Sequence, residues 1–140
     1  MRLGDSDSEL VAELHREFPI ADARQDASLL QDVASRVVDC VNGSEAHPDI
    51  PLDIRGTAFQ AKVWETLRRI PRGETRSYAQ IAQAMKQPKA VRAVARAIAR
   101  NPVAVIVPCH RVVRSDGSLG GYRWGLKRKE ELLRSEKSAM

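Results

Sequence analysis

A mostly helical α+β fold is predicted for this chain of 140 residues, and three observations predict it. Apolar residues recur at helical spacing over most of the chain. A single β-rich run, Val103 to Val107, interrupts that periodicity. The charge is also divided: up to Ile54 there are 4 Lys+Arg against 12 Asp+Glu, and from Arg55 onward 19 against 6. The divide suggests two units, residues 1–54 and residues 55–140.

The elements follow in order. Ser6 to Phe18 reads as a helix with Leu10, Val11 and Leu14 on one face. Ala27 to Val41 reads as a second, carrying Leu29, Leu30, Val33, Val37 and Val38 and stopped by Asn42-Gly43. Both have an acidic outer face. Ser44 to Gly56, with Pro48, Pro51 and Gly56, carries no helical period and reads as a connecting loop. Thr57-Ala58-Phe59-Gln60 is a capping box opening a helix with Phe59, Val63, Leu67 and Ile70 on its face, ended by Pro71 and Gly73. Ser77-Tyr78-Ala79-Gln80 is another, starting a short helix to about Met85. Lys86-Gln87-Pro88 breaks it, and Lys89 to Arg100 forms a further helix. On that helix Val91, Val94 and Ile98 face one way and Arg92, Arg96 and Arg100 another. Two short helices with a tight turn, the second rich in arginine, read as helix-turn-helix, the alternative being an ordinary helical core. Asn101 to Val113 reads as an apolar strand ending in a turn, and Lys137 to Met140 is expected to fray.

Composition narrows the class. A hydrophobic fraction of 43% is that of a soluble globule able to bury one core. The longest apolar run is too short to cross a bilayer, and the opening MRLGDSDSEL lacks the basic then apolar start of a signal peptide, so a cytosolic protein without membrane contact is expected. Two cysteines make no disulfide framework, and His15, His47 and His110 are far apart, so neither disulfide nor metal is predicted. The basic second part is the electrostatic footprint of a polyanion partner, nucleic acid above all; a solvated surface is the bland alternative.

Chemistry concentrates at Cys109. Pro108 before it lacks a backbone donor and stiffens the turn, and His110, Arg111 and Arg114 suggest electropositive surroundings that favour a thiolate. A buried small hydrophobe is the competing reading.

Four motifs then carry a family resemblance: GETRSYAQIA at Gly73 to Ala82, KAVRAVARAIARNP at Lys89 to Pro102, PCHRVV at Pro108 to Val113 and GGYRWGLKRKEELL at Gly120 to Leu133. Together they closely resemble the O6-alkylguanine-DNA alkyltransferases. PLDIRGTAFQ at Pro51 to Gln60 is most similar to the C-terminal repair half of the bacterial adaptive-response regulators of the Ada group. The resemblance implies a winged helix-turn-helix DNA-binding domain over residues 55–140, preceded by a partial, truncated α/β N-terminal domain. It implies direct, stoichiometric transfer of an alkyl group from O6-methylguanine, and O4-methylthymine, in double-stranded DNA to Cys109. It implies a monomer, no cofactor, and a cytoplasmic, nucleoid-associated protein.

By the same resemblance His110 takes the thiol proton through a water, Glu136 holds the imidazole tautomer, and Asn101 ties the turn to this network. Tyr78 hydrogen-bonds the guanine ring and contacts DNA. Arg92 fills the stack when the base is flipped out, with Ala93 and Arg96 also meeting DNA. Leu119, Gly120, Tyr122 and Trp124 line the base pocket, Trp124 narrowing it against bulky alkyl groups. Without the motif context Tyr78, Arg92 and Glu136 read equally as a packing residue, a phosphate contact and a solvated charge. An alkylated cysteine is a thioether that a His/Glu pair cannot hydrolyse, so each molecule is expected to act once. A non-catalytic binder of alkylated DNA and part of a transcription regulator of the Ada group are the rival readings. Cys109 speaks against the first, and the lack of metal-binding cysteines speaks against the second.

Overall fold

A computed structural model describes residues 1–44 and 49–138, so His47 and Pro48 of the readings above lie outside the described residues. The first two helices are α1, Asp7–Glu17, and α2, Ala27–Asn42. Ser6 caps α1 by accepting from Glu9 N, and Asp26 caps α2 by accepting from Leu29 N at 2.9 Å. Gly43 ends α2 at φ 89°, its N–H and that of Ser44 reaching back to the last carbonyls.

The core is built by the next three helices: α3, Ala58–Arg68, α4, Tyr78–Ala84, and α5, Val91–Ala99. Both expected capping boxes form, Thr57 with Gln60 and Ser77 with Gln80. Val63, Leu67, Ile81, Ala82, Val94, Ala97 and Ile98 interdigitate at the centre. Trp64 joins them and donates its indole N–H to the Ala97 carbonyl at 2.9 Å, fastening α3 to α5. Lys86 turns the chain between α4 and α5 at φ 60°.

Two strands of two residues complete the site's frame. Strand β1, Arg76–Ser77, pairs in parallel with β2, Val112–Val113, Arg76 opposite Val112 and Ser77 opposite Val113. The ladder sets the start of α4 beside the 3-10 turn Cys109–Arg111 that immediately precedes β2. The last helix, α6, spans Leu126–Ser138 and packs against that turn.

Several expectations are corrected. Val103 to Val107 is not a strand but a series of bends and turns, because the Asn101 side chain substitutes for a neighbouring strand. Its Nδ2 donates to the carbonyls of Val103 (3.1 Å) and Val107 (2.9 Å) while its Oδ1 accepts from Val103 N. Here β-branched apolar residues signal burial, not extension: Ala104 to Val107 are all buried, with Val105 at φ 66°. Of the stretch Lys137 to Met140, Lys137 and Ser138 are the last residues of α6, and Ala139 and Met140 lie outside the described residues. Residues 1–44 and 49–54 contribute two helices and no strand. Their apolar faces are covered only in part, for Val11 stays 51% and Leu29 77% exposed while Cys40 alone is buried in α2. No helix among the described residues is long and apolar enough to cross a membrane.

A lysine in the left-handed region pays a steric cost that glycine does not, so Lys86→Gly is expected to raise stability by up to about 1 kcal/mol, read as a higher urea midpoint at unchanged slope.

Candidate active site

Cys109 lies on the 3-10 turn with its Sγ accepting from Asn101 Nδ2 at 3.1 Å, and the side chain is buried. The same amide nitrogen that shapes the preceding loop therefore also holds the sulfur. Burial pushes the thiol up from its ordinary value, against the Asn101 hydrogen bond and the positive charges of Lys129 and Arg123. The electropositive surroundings expected from Arg111 and Arg114 are thus supplied by other residues, since Arg114 is exposed and Arg111 is engaged elsewhere.

Beside the thiol is a buried polar cluster centred on Glu136. His110 Nε2 lies 2.7 Å from Glu136 Oε1. Arg111 grips both carboxylate oxygens, Nε at 3.0 Å from Oε2 and Nη2 at 2.9 Å from Oε1, and gives Nη1 to the Ile70 carbonyl at 2.6 Å. Gly73 N adds a donor to Oε2. Burial by itself raises a carboxyl, but the hydrogen bonds from His110 and Arg111 outweigh it and hold Glu136 at about 2. Burial lowers His110 below its ordinary value, Glu136 opposing, so the ring is neutral. With Glu136 ionised, Nε2 carries the proton and donates. Nδ1, buried and without a hydrogen-bond partner, is then the basic nitrogen.

Tyr78 opens α4 and is half-buried; burial and the nearby Cys109 raise its hydroxyl above the ordinary phenol range, so it remains a donor. Gly120 lies against it: a Cβ there would collide with the Tyr78 hydroxyl and ring. Tyr122 has a buried hydroxyl without a partner and meets Trp124 edge-on, ring centroids 5.4 Å apart. Leu119 is partly buried. Trp124 lines a cavity on the α1 side with Leu3, Leu10 and Glu13, so its influence on the thiol's surroundings passes through Tyr122 and Arg123, both of which touch it.

Arg92 and Arg96 on α5, and Arg100 at its C-cap, stand exposed. Ala93 and Arg96 line a small cavity with Thr57, Phe59 and Gln60 at the start of α3.

Two members of the cluster are missing from the sequence reading. Arg111 is there an electropositive neighbour of the thiol, not the partner of Glu136. Lys129 falls in a run of charges that suggests a solvated face. It is fully buried, and its Nζ reaches the carbonyls of Val112 at 2.6 Å and Gly120 at 3.4 Å. The signal that finds it is spacing, because Lys129, Leu132, Leu133 and Glu136 lie at i, i+3, i+4 and i+7 on the inward face of α6.

A family model described as 6-O-methylguanine DNA methyltransferase, DNA binding domain, matches residues 58–138. The Escherichia coli bifunctional transcriptional activator/DNA repair enzyme Ada is 54% identical over 134 residues, covering 96% of this chain and 38% of that protein. An inducible methylated-DNA--protein-cysteine methyltransferase of Bacillus subtilis is 41% identical, covering 94% of this chain and 73% of its own length. Among solved structures, Mycobacterium tuberculosis OGT in complex with DNA superposes with a TM-score of 0.75 at 46% identity, covering 78% of this chain and 68% of that one. The mostly helical α+β fold is shared with it. The chain spans only 38% of the length of the E. coli relative.

Three outcomes are expected. Gly120→Ala displaces Tyr78 and lowers any reactivity that depends on its hydroxyl by roughly 10- to 100-fold, read in single-turnover kinetics. Stability follows the folded pKa shifts. The contribution of Glu136 is complete above its ordinary pKa of 4.5 and is lost as pH falls toward about 2. His110, lowered from 6.5, opposes the fold once it must be protonated below that pH. Cys109, raised from 9.0, opposes it above that pH. His110 should therefore lower urea midpoints below pH 6.5, and Cys109 should lower them above pH 9.0. Glu136→Gln should cost about 3–5 kcal/mol, because it leaves Arg111 buried without a counter-charge.

Proposed function

This chain belongs to the 6-O-methylguanine DNA methyltransferase family, and on that premise we propose that it repairs double-stranded DNA by transferring the alkyl group of O6-methylguanine, and of O4-methylthymine, to Cys109. The observation that carries the reading is the thiol held by Asn101 next to a neutral His110 whose other nitrogen is fixed by Glu136. A displacement at carbon needs a thiolate, and burial keeps the thiol protonated. His110 Nδ1 takes that proton through a water, and Glu136 stabilises the imidazolium so formed. Sulfur then attacks the methyl carbon. The S–C bond forms, the C–O bond breaks with its electrons going to guanine oxygen, and the guanine anion regains a proton from the site.

Tyr78 steadies that developing charge by donating its hydroxyl hydrogen to the ring, a role its raised pKa favours. Tyr122, Leu119 and Gly120 make up the wall of the base pocket with Trp124 behind it, edge-on against Tyr122, and the buried, unpaired Tyr122 hydroxyl supports a polar ligand there. The duplex shields O6, so the base is flipped out, and Arg92 takes its place in the stack. Ala93 and Arg96 approach the groove on the same exposed face of α5. In this reading α4 and α5 are the two helices of a winged helix-turn-helix, residues 55–140 are the repair domain, and residues 1–54 are a separate N-terminal unit. The protein acts as a monomer without cofactor. Because the product is a thioether, each molecule acts once.

The test is incubation with a duplex carrying one O6-methylguanine, followed by mass spectrometry of the peptide containing Cys109. One added methyl per protein molecule is expected, with no transfer by Cys109→Ala, which should still bind the duplex. Binding by the unaltered protein without transfer would leave a reader of damaged DNA in its place.

A further inference from the structure

Arg123 joins parts of the molecule that otherwise meet nowhere near one another in sequence. Its Nη1 donates to the backbone carbonyl of Asn101 at 3.2 Å, the residue whose side chain holds Cys109 Sγ. Its Nη2 lies 3.5 Å from the Glu13 carboxylate on α1. Its guanidinium carbon sits 5.5 Å from the centroid of the Trp124 ring. Glu13 is held in turn by Arg2 at 3.4 Å, and Arg128, one turn along in α6, pairs with Asp5 just before α1. The acidic first helix is thus fastened to the loop between Gly120 and Gly125, and Arg123 carries that fastening on to the shell of the thiol.

We propose that Arg123 is a positioning residue for Cys109, coupling α1 to the thiol by bridging Glu13 and the Asn101 carbonyl. The proposal rests on the reading of Cys109 as the reactive group. A planar guanidinium with five donors can serve the carboxylate and the carbonyl together while lying on the indole face, which a lysine amine cannot do. Its charge acts on sulfur through space as well. The other charged or titratable groups acting on the thiol are Lys129 from α6, Tyr78 from α4 and Tyr122 from the same loop, with His110 the next residue of its own turn.

The experiment is the pH profile of Cys109 alkylation by iodoacetamide, followed by mass spectrometry, which needs no DNA. Arg123→Gln should move the midpoint up by about half a unit to one unit, so that alkylation at pH 7 is roughly three- to tenfold slower. Glu13→Gln should shift the profile of the unaltered protein and leave that of Arg123→Gln unchanged, since its effect passes through Arg123. A profile for Arg123→Gln that superimposes on the unaltered one overturns the proposal. So does a Glu13→Gln shift of equal size with and without Arg123. Should Arg123→Gln lose its near-UV circular dichroism, Arg123→Lys carries the test: one amine cannot bridge both partners, so Glu13→Gln must be without effect in that background, and a persisting effect overturns the proposal. Methyl transfer from the duplex, measured on the same proteins, keeps the two ideas apart. If the unaltered protein transfers nothing, the proposed function fails, and the thiol profiles still decide Arg123.

Discussion

The buried carboxylate of Glu136 is the constraint on which the rest of the site depends. It sits on the last helix, yet its partners come from the 3-10 turn and from the backbone after α3. Removing such a charge from water is costly, and only a full set of donors repays it. Arg111 supplies a forked cation, His110 a ring N–H and Gly73 a backbone N–H, so the carboxylate is satisfied on both oxygens. Because these bonds are short and directional, the register of α6 and the conformation of the Cys109–Arg111 turn are mutually determined. The same arrangement leaves Arg111 with Ile70 as its remaining partner, which extends the cluster to the end of α3.

That cluster changes what makes the thiol reactive. The obvious argument from a cysteine among basic residues is a depressed pKa and a standing thiolate. Burial wins instead, and the thiol lies above its ordinary value despite Lys129, Arg123 and the Asn101 hydrogen bond. Reactivity must then come from a base that removes the proton when it is needed. A neutral His110 with one nitrogen committed to Glu136 meets that requirement better than an imidazolium, which has no lone pair to offer. The cations near sulfur are secondary in this account: they limit the cost of the thiolate once it forms.

How much of this was legible in the sequence depends on how local the controlling interaction is. The capping boxes at Thr57 and Ser77, the stop at Gly43 and the two faces of α5 follow from contacts within a turn or two, and the structure has them where periodicity puts them. The run Val103 to Val107 misleads because its β-branched residues answer to burial, while its conformation answers to one asparagine side chain two residues upstream. Lys129 misleads because its neighbours Lys127 and Glu130 are exposed, and only the i, i+7 relation to Glu136 separates it from them. The family resemblance names Cys109, His110, Asn101 and Glu136 together, and these four are in direct contact or adjacent in the turn. Arg111 was in the quoted motif but its partner could not be read, since an ion pair 25 positions apart leaves no local pattern.

The division of charge along the chain acquires a different meaning once the pairs are known. Taken as a total, the acidic first part suggests a surface that would repel a polyanion. Three of its carboxylates are paired with basic residues: Glu13 and Glu17 with Arg2, Glu13 also with Arg123, and Asp5 with Arg128. Among the described residues no ion pair involves Arg92, Arg96 or Arg100, and no acidic residue lies on α5 to neutralise them. The unpaired arginines of α5 and its C-cap therefore present positive charge on an exposed helix face, a feature that attracts a phosphate backbone. A chain of the same net charge with its pairs exchanged, α1 acids against α5 and loop arginines free, would have the opposite surface. Pairing, more than composition, decides where a polyanion can dock.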